Sequence, residues 1–215
     1  DSDRTVRRVL MKESYAGQEQ TMFPQAIYER YCEKTGQTIN TIASDKTGRT
    51  LINYSGKPGD YECISLVDVL QGKIDTRVFK DSIVLVGAYA AGMQDNFNVP
   101  NGGNQQMYGV EIHANILQAF MQNRFSVNGN PFLFGLLTGL VCAILHFVFK
   151  RTKIWLSTIL LIAGVAANLI AGVILNNNGI AISLIYAPLV LIVSYIYCLA
   201  IGYILEKLKQ KKVLK

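Results

Sequence analysis

Three long apolar stretches dominate the pattern of hydrophobic and polar positions. Phe132 to Phe149, Ile154 to Leu175 and Ile180 to Leu205 contain no Asp, Glu, Lys or Arg. At about 1.5 Å of rise per residue, each crosses most or all of a hydrocarbon core roughly 30 Å thick. The first only just reaches. One such stretch fits the core of a soluble protein. Three in succession, joined by short links, do not fit a domain of this size, and the pattern predicts three transmembrane helices.

Upstream the pattern changes to short alternations and amphipathic runs, as in a mixed α/β domain. Thr5 to Met11 mixes basic and β-branched residues and reads as a strand. Phe23 to Lys34 reads as a helix: Pro24 suits its first turn, Phe23, Ile27 and Tyr31 share a face, and Gly36 ends it. Thr38 to Ala43 and Arg49 to Tyr54 alternate like strands about the turn at Asp45-Lys46-Thr47-Gly48. Ser65 stands where a helix cap would, with Asp68 three residues on and Gly72 to close a short helix. Ile83 to Val86 is an unbroken apolar run and predicts a strand buried on both faces. A long loop rich in Gly, Asn and Gln follows from Ala91 to Tyr108, and then a helix from Val110 to Asn123. On the helical wheel Val110, Ala114, Leu117 and Met121 form the apolar face, and Glu111, Asn115, Gln118 and Gln122 the polar one.

Charge gives the expected orientation. Lys150, Arg151 and Lys153 lie between the first two spans, and Lys207, Lys209, Lys211, Lys212 and Lys215 follow the third. The link Asn176-Asn177-Asn178-Gly179 carries no charge. Basic residues stay on the cytoplasmic side, so the first link and the tail are expected inside and residues 1–130 outside. Of 21 basic and 15 acidic residues, those eight basic ones and Glu206 belong to link and tail, which leaves 13 against 14 outside. The pI of 9.1 therefore reflects membrane topology, with attraction to anionic lipid, and not a nucleic-acid surface. The expected division is residues 1–130 as an extracytoplasmic domain, 131–205 as the spans and 206–215 as a basic helix. Because residue 1 is Asp and nothing upstream exports the domain, a signal sequence or further span before it is expected. An output domain is likewise expected beyond Lys215, where the apolar stripe Ile201, Leu205, Leu208 continues without a Gly or Pro stop.

Candidate chemistry is sparse. The loop from Gly87 to Tyr108 follows a buried strand, where open α/β sheets bind ligands, and is long for a connector. Gly87 and Gly92 match the first two glycines of a P-loop, but Met93-Gln94 stand where the motif needs Lys and Ser or Thr. No dinucleotide fingerprint is present. Asp95, Glu111 and His113 have the side chains of a metal set, yet two helical positions turn Glu111 and His113 about 200° apart. A buried, hydrogen-bonded His113 is the stronger reading, ahead of a pocket residue or a metal ligand. No nucleophile elbow or acid–base set is visible, so no enzyme is expected within this chain. His146 lies in the first span near Lys150, where a neutral interfacial residue is favoured over a proton relay. Cys142 and Cys198 read as small apolar fillers. Cys32 and Cys63 lie where oxidation is permitted; free thiols are favoured, and their pairing stays open.

Within the spans, Gly135-x-x-x-Gly139 and the stripe Ala163, Ala167, Ala171 beside Gly164, Asn168 and Gly172 permit close helix approach. Asn168 is expected to hydrogen-bond a neighbour, and Pro188 to kink the third span. The expectation is a three-helix bundle that pairs with a second copy.

Four segments together resemble the CHASE type-two sensory domain. They are Asp-x-Asp-x-x-x-Arg-Arg at Asp1 to Arg8, Lys80-Asp81-Ser82-Ile83-Val84-Leu85-Val86-Gly87-Ala88, Asp95 with Pro100, and Tyr108-Gly109-Val110-Glu111-Ile112-His113-Ala114-Asn115. The resemblance implies an extracytoplasmic sensor followed by three transmembrane helices and a bacterial signalling output, such as a nucleotide cyclase, a histidine kinase, a protein kinase or a diguanylate cyclase. By the family pattern, an upstream helix and the first part of the sensor are missing. The match departs at position 4, Arg where the family tends to have Gly. It implies no ligand and carries over no binding residue; Asp95, Glu111, His113 and Asn115 are the polar motif positions that match and stand as the ligand-binding candidates. The fold expected is a mixed α/β extracytoplasmic sensor followed by an all-α three-helix transmembrane bundle. The function expected is the sensory and membrane portion of a bacterial receptor; the alternative is a small transporter or channel subunit. Its partners are an extracytoplasmic ligand, the bilayer and a second copy in a homodimer, with no cofactor and no nucleic acid.

Overall fold

The structure is a computed structural model that describes residues 2–213. It divides into two units, Asp1–Val127 and Asn128–Lys215. Asp1 of the N-terminal motif and Lys215 of the tail lie outside the described residues, as do the side chains of Glu206, Lys209, Lys211 and Lys212.

The first unit is mixed α/β. Its strands are β1 (Arg8–Leu10), β2 (Lys12–Tyr15), β3 (Gln18–Thr21), β4 (Arg49–Ile52), β5 (Asn96–Phe97), β6 (Met107–Tyr108) and β7 (Phe125–Asn128). Its helices are α1 (Phe23–Thr35), α2 (Leu66–Leu70) and α3 (Gly109–Gln122). β4 lies between β1 and β7 and is antiparallel to both, with Arg8 opposite Leu51 and Leu51 opposite Ser126. β2 and β3 form a hairpin over Ala16 and Gly17, whose φ values of 51° and 79° are those of a tight two-residue turn. Such φ values are rare outside Gly, Asn and Asp, which hid this hairpin from the sequence pattern.

α1 and α3 pack on each other and close the core. Tyr28 stacks on Phe120 with ring centroids 5.3 Å apart, and Phe120 meets Phe125 edge-on at 4.8 Å. Ile52, Ile112 and Ile116 fill the space between. Burying each such side chain stabilises the fold by roughly 1.5–3 kcal/mol. α1 ends at Gly36, left-handed at φ 71°, and α3 at Asn123, φ 50°, one of the few other residues that tolerate that conformation.

Several expectations are corrected. Ile83 to Val86 is not a strand: none of the described strands pairs with it, and Val86 is 76% exposed. An apolar run is buried on both faces only when neighbouring strands enclose it, and this unit's sheet is built from β1, β4 and β7. Thr38 to Ala43 is irregular, tied instead by the Asn40 N–H donating to the Tyr28 hydroxyl at 3.3 Å. α2 forms, but the Ser65 side chain makes no cap bond. Leu117 of the expected apolar face of α3 is buried, but so are Ile112, Ile116, Ala119 and Phe120 and the polar Glu111 and Asn115, while Met121 is 44% exposed. The wheel assumed that polar residues face water, and here they face backbone donors.

Arg4 gives a direct test of local strain. Its φ is 59°, a conformation that costs an L-residue roughly 1–2 kcal/mol and glycine little. Arg4→Gly is expected to stabilise the first unit by about 1 kcal/mol, raising its melting temperature by a few degrees. An unchanged or lowered melting temperature would show that the arginine side chain offsets the strain.

The second unit consists of three helices, α4 (Pro131–Phe149), α5 (Ile154–Asn177) and α6 (Tyr186–Val213), with a two-residue strand, β8 (Ile180–Ala181), between α5 and α6. All three are long and apolar enough to cross a membrane, with mean hydropathy of 2.4, 2.4 and 2.2 over their spans. Asn130 caps α4, its side-chain oxygen accepting the N–H groups of Phe132 and Leu133. α6 starts at Tyr186 rather than Ile180. Pro188 therefore sits in its first turn, where no intrahelical donor is lost, and the expected mid-span kink has no cause. Gly164 packs between Leu145 and Leu191, and Gly172 lies beneath Leu184. A Cβ added at Gly135 or Gly139 would meet no neighbouring side chain or helix among the described residues. The Asn168 side-chain oxygen is buried without a partner among the described residues, contrary to the hydrogen bond expected of it.

Candidate functional site

The polar loop expected to bind a ligand is a folded hairpin. β5 and β6 pair with Asn96 opposite Tyr108 and Phe97 opposite Met107. Between them a tight turn runs from Val99 to Gln105, with the Gly102 N–H donating to Val99 and the Gln105 N–H to Gly102. A Cβ at Gly102 would stand 2.4 Å from the Gln105 carbonyl oxygen, so only glycine makes this turn. The N-terminal motif zips onto the same hairpin: the Val6 N–H donates to the Asn98 carbonyl at 2.8 Å. Within that motif Asp3 pairs with Arg7 at 2.7 Å, which holds its carboxyl below the usual range together with the Thr5 N–H.

The four candidate residues sit at and just before the start of α3. Asp95 lies against Gly109, where a Cβ would come within 2.5 Å of its carboxylate, and its backbone carbonyl accepts the Gly109 N–H at 3.0 Å. The family-like glycine at 109 is thus required by packing. Glu111 is 2% exposed. One of its oxygens accepts the Gly59 N–H at 2.7 Å and the other the Tyr108 N–H at 3.1 Å, as in the reciprocal half of a capping box. Asn115 is 0% exposed. Its oxygen accepts the N–H groups of Ser55 and Gly56 at 3.1 and 2.9 Å, and its amide donates to the Glu111 carbonyl at 3.1 Å.

Glu111 and Asn115 therefore clamp residues 55–59 onto α3. They supply acceptors to the backbone N–H groups of Ser55, Gly56 and Gly59 and so fix that segment against the helix. His113 is half-buried, edge-on to Phe23 at 5.5 Å. Burial lowers its pKa, opposed in part by the Asp95 charge. A hydrogen-bonded imidazole was expected, but its Nδ1 is buried without a partner among the described residues. This follows from its place beside an aromatic ring rather than a carbonyl. No group of three His, Cys, Asp or Glu able to hold a metal occurs among the described residues.

What the sequence reading missed lies above this clamp. An open cleft of about 560 Å³ is lined by Glu111, by Pro58 and Gly59, and by residues of the hairpin. Asn96, Asn98, Asn104, Gln105 and Gln106 line it, with Tyr89 and Tyr108. The two rings lie 4.4 Å apart, tilted by 39°. The Tyr89 hydroxyl is pushed up in pKa by its bond with Cys63, by burial and by the Glu111 charge. Nearby, burial first and then the charges of Glu111 and Asp60 push Tyr61 up to about 12. The sequence signal was the density of Asn and Gln in the loop. A second, more apolar cavity of about 330 Å³ lies elsewhere in the unit beside Tyr28, Ile39 and Ile42. Cys32, buried, and Cys63, exposed, are free thiols.

In the second unit, His146 of α4 meets α6. Its Nδ1 is 3.1 Å from the Cys198 sulfur and 3.4 Å from the Ser194 hydroxyl, and its ring stacks on Tyr197. These contacts, with a Thr158–Tyr195 hydroxyl pair at 2.6 Å, tie the spans together.

A model of the CHASE2 domain family matches residues 1–163. The match takes in the first unit, α4 and the start of α5. No curated protein and no solved structure matches the chain.

Proposed function

The chain belongs to the CHASE2 domain family, and we propose that it is the extracytoplasmic sensor and membrane anchor of a bacterial receptor whose output lies in the cytoplasm. CHASE2 is a sensory domain of signalling receptors, and three apolar helices fit a membrane anchor. The proposal adds sidedness, direction and output. The sensor lies outside, the basic link and tail inside, and the output is a nucleotide cyclase or a histidine kinase.

The observation that carries this reading is the length of α6. It runs unbroken for 28 residues from Tyr186 to Val213, of which Tyr186–Leu205 is the apolar span. At about 1.5 Å per residue it is roughly 42 Å long, against a hydrocarbon core of roughly 30 Å. A helix that leaves the bilayer without a break carries rotation or sliding with it. A ligand moves such an equilibrium only through different affinity for its two states, so the first unit must bind differently in each. A second copy beside it, forming a parallel pair of α6 helices, completes the arrangement.

Reporter fusions after Asn130, Lys153, Asn178 and Lys215 test the sidedness. The expected series is outside, inside, outside, inside. A cytoplasmic signal at Asn130 would overturn the receptor reading.

A further inference from the structure

We propose that the cleft between the β5–β6 hairpin and the segment at Pro58 and Gly59 binds a neutral saccharide of one or two rings. The inference rests on the sensory reading and gives its ligand a chemical class.

Charge is the first constraint on the ligand. Among the residues that line the cleft, Glu111 alone carries one, and both its oxygens already accept backbone N–H groups, from Gly59 and Tyr108. No lysine or arginine lines it. An anionic ligand has no counter-charge there, and Glu111, 2% exposed, offers a cation almost no accessible surface.

The polar groups that remain are amides. Each carboxamide offers donors and an acceptor together, which matches a hydroxyl, itself both donor and acceptor. They are also pre-ordered. The Asn96 amide donates to the Gln106 oxygen, and the Gln106 amide donates to the Asn98 oxygen at 3.1 Å. This chain fixes which way each amide points. It leaves the Asn96 oxygen and the Asn98 amide without a side-chain partner among the described residues. Polar groups held in place in advance bind without the entropy cost of ordering them.

The third element is an aromatic face. Tyr89 is 40% exposed beside these amides, braced by the Tyr108 ring. The C–H face of a sugar ring covers an aromatic ring, while its hydroxyls at the rim reach the amides. A cleft of about 560 Å³ lies within the range of small-ligand sites, roughly 300–1,000 Å³, and takes one or two pyranose rings.

The test is calorimetric titration of the detergent-solubilised chain with glucose, maltose, cellobiose and chitobiose, with citrate and arginine as charged controls. At least one of the saccharides is expected to bind with a Kd of about 1 mM or tighter, and neither control. Tyr89→Ala should weaken that binding about tenfold or more without lowering the melting temperature, and Tyr89→Phe, which keeps the ring, should retain it. Asn98→Leu, which removes an amide at the rim, should weaken it as well. Failure of all four sugars to bind, binding of a charged control instead, or binding indifferent to Tyr89→Ala each overturns the proposal. Because binding is read without any signalling output, its failure leaves the sensor reading to stand on membrane topology. A bound sugar with inverted topology would keep the site and remove the receptor.

Discussion

Asn115→Ala is expected to cost the first unit roughly 3–5 kcal/mol, a large part of the 5–15 kcal/mol that holds a typical domain together. The residue is fully buried. Its oxygen is the acceptor for two backbone donors, Ser55 and Gly56, and its amide donates to the Glu111 carbonyl. Truncation leaves the Ser55 and Gly56 N–H groups without their acceptor and opens a cavity where the amide stood, while the Glu111 carbonyl keeps its place in the α3 helix. Each unpaired group costs roughly 1–3 kcal/mol. In a unit of this size that lowers the melting temperature by about 10 °C or more. Asn115→Asp is expected to be nearly as harmful. It keeps the acceptor, but sets a second oxygen against the Glu111 carbonyl and buries a charge. Gln122→Ala, on the same stripe of α3 but bonded at the surface to Ser55 at 3.4 Å, should change stability by less than about 0.5 kcal/mol. Thermal melts of the three variants separate the clamp from a ligand role. If Asn115→Ala melted like the parent, the polar motif would not be holding residues 55–59.

The contrast between these residues shows what was legible in the sequence. The three spans were, because crossing a bilayer demands length and apolarity that no other local feature imitates. α1 was, because Pro24 and Gly36 mark its ends in the terms the backbone requires. The polar face of α3 was misread, because periodicity reports polarity and not what a polar side chain meets. Glu111 and Asn115 are buried since backbone N–H groups from residues 55–59 converge on them, and those residues are far away in sequence. Ile83 to Val86 was misread for the opposite reason. An apolar run states that burial would be favourable, and the sheet that would bury it is not among the strands of this unit. The cleft was half legible. The Asn and Gln of the loop pointed to it, while the contribution of Tyr89, Pro58 and Gly59 depends on tertiary contacts.

The most direct test of the central claim, that movement of α6 carries the signal, is a phase series. One, three, four or seven residues are inserted after Leu208 in a chimera that carries a histidine-kinase domain beyond Lys215. α6 is a single helix through this point. One added residue turns everything downstream by about 100°. Three turn it by about −60°, four by about +40° and seven by about −20°, the near-return of a heptad. Kinase output should therefore lock at one extreme with one residue, shift in opposite senses with three and four, and return close to the parent level with seven. A rigid helical pair predicts this periodic dependence on insertion length. Equal output across all four insertions would contradict it and reduce the tail to a flexible tether.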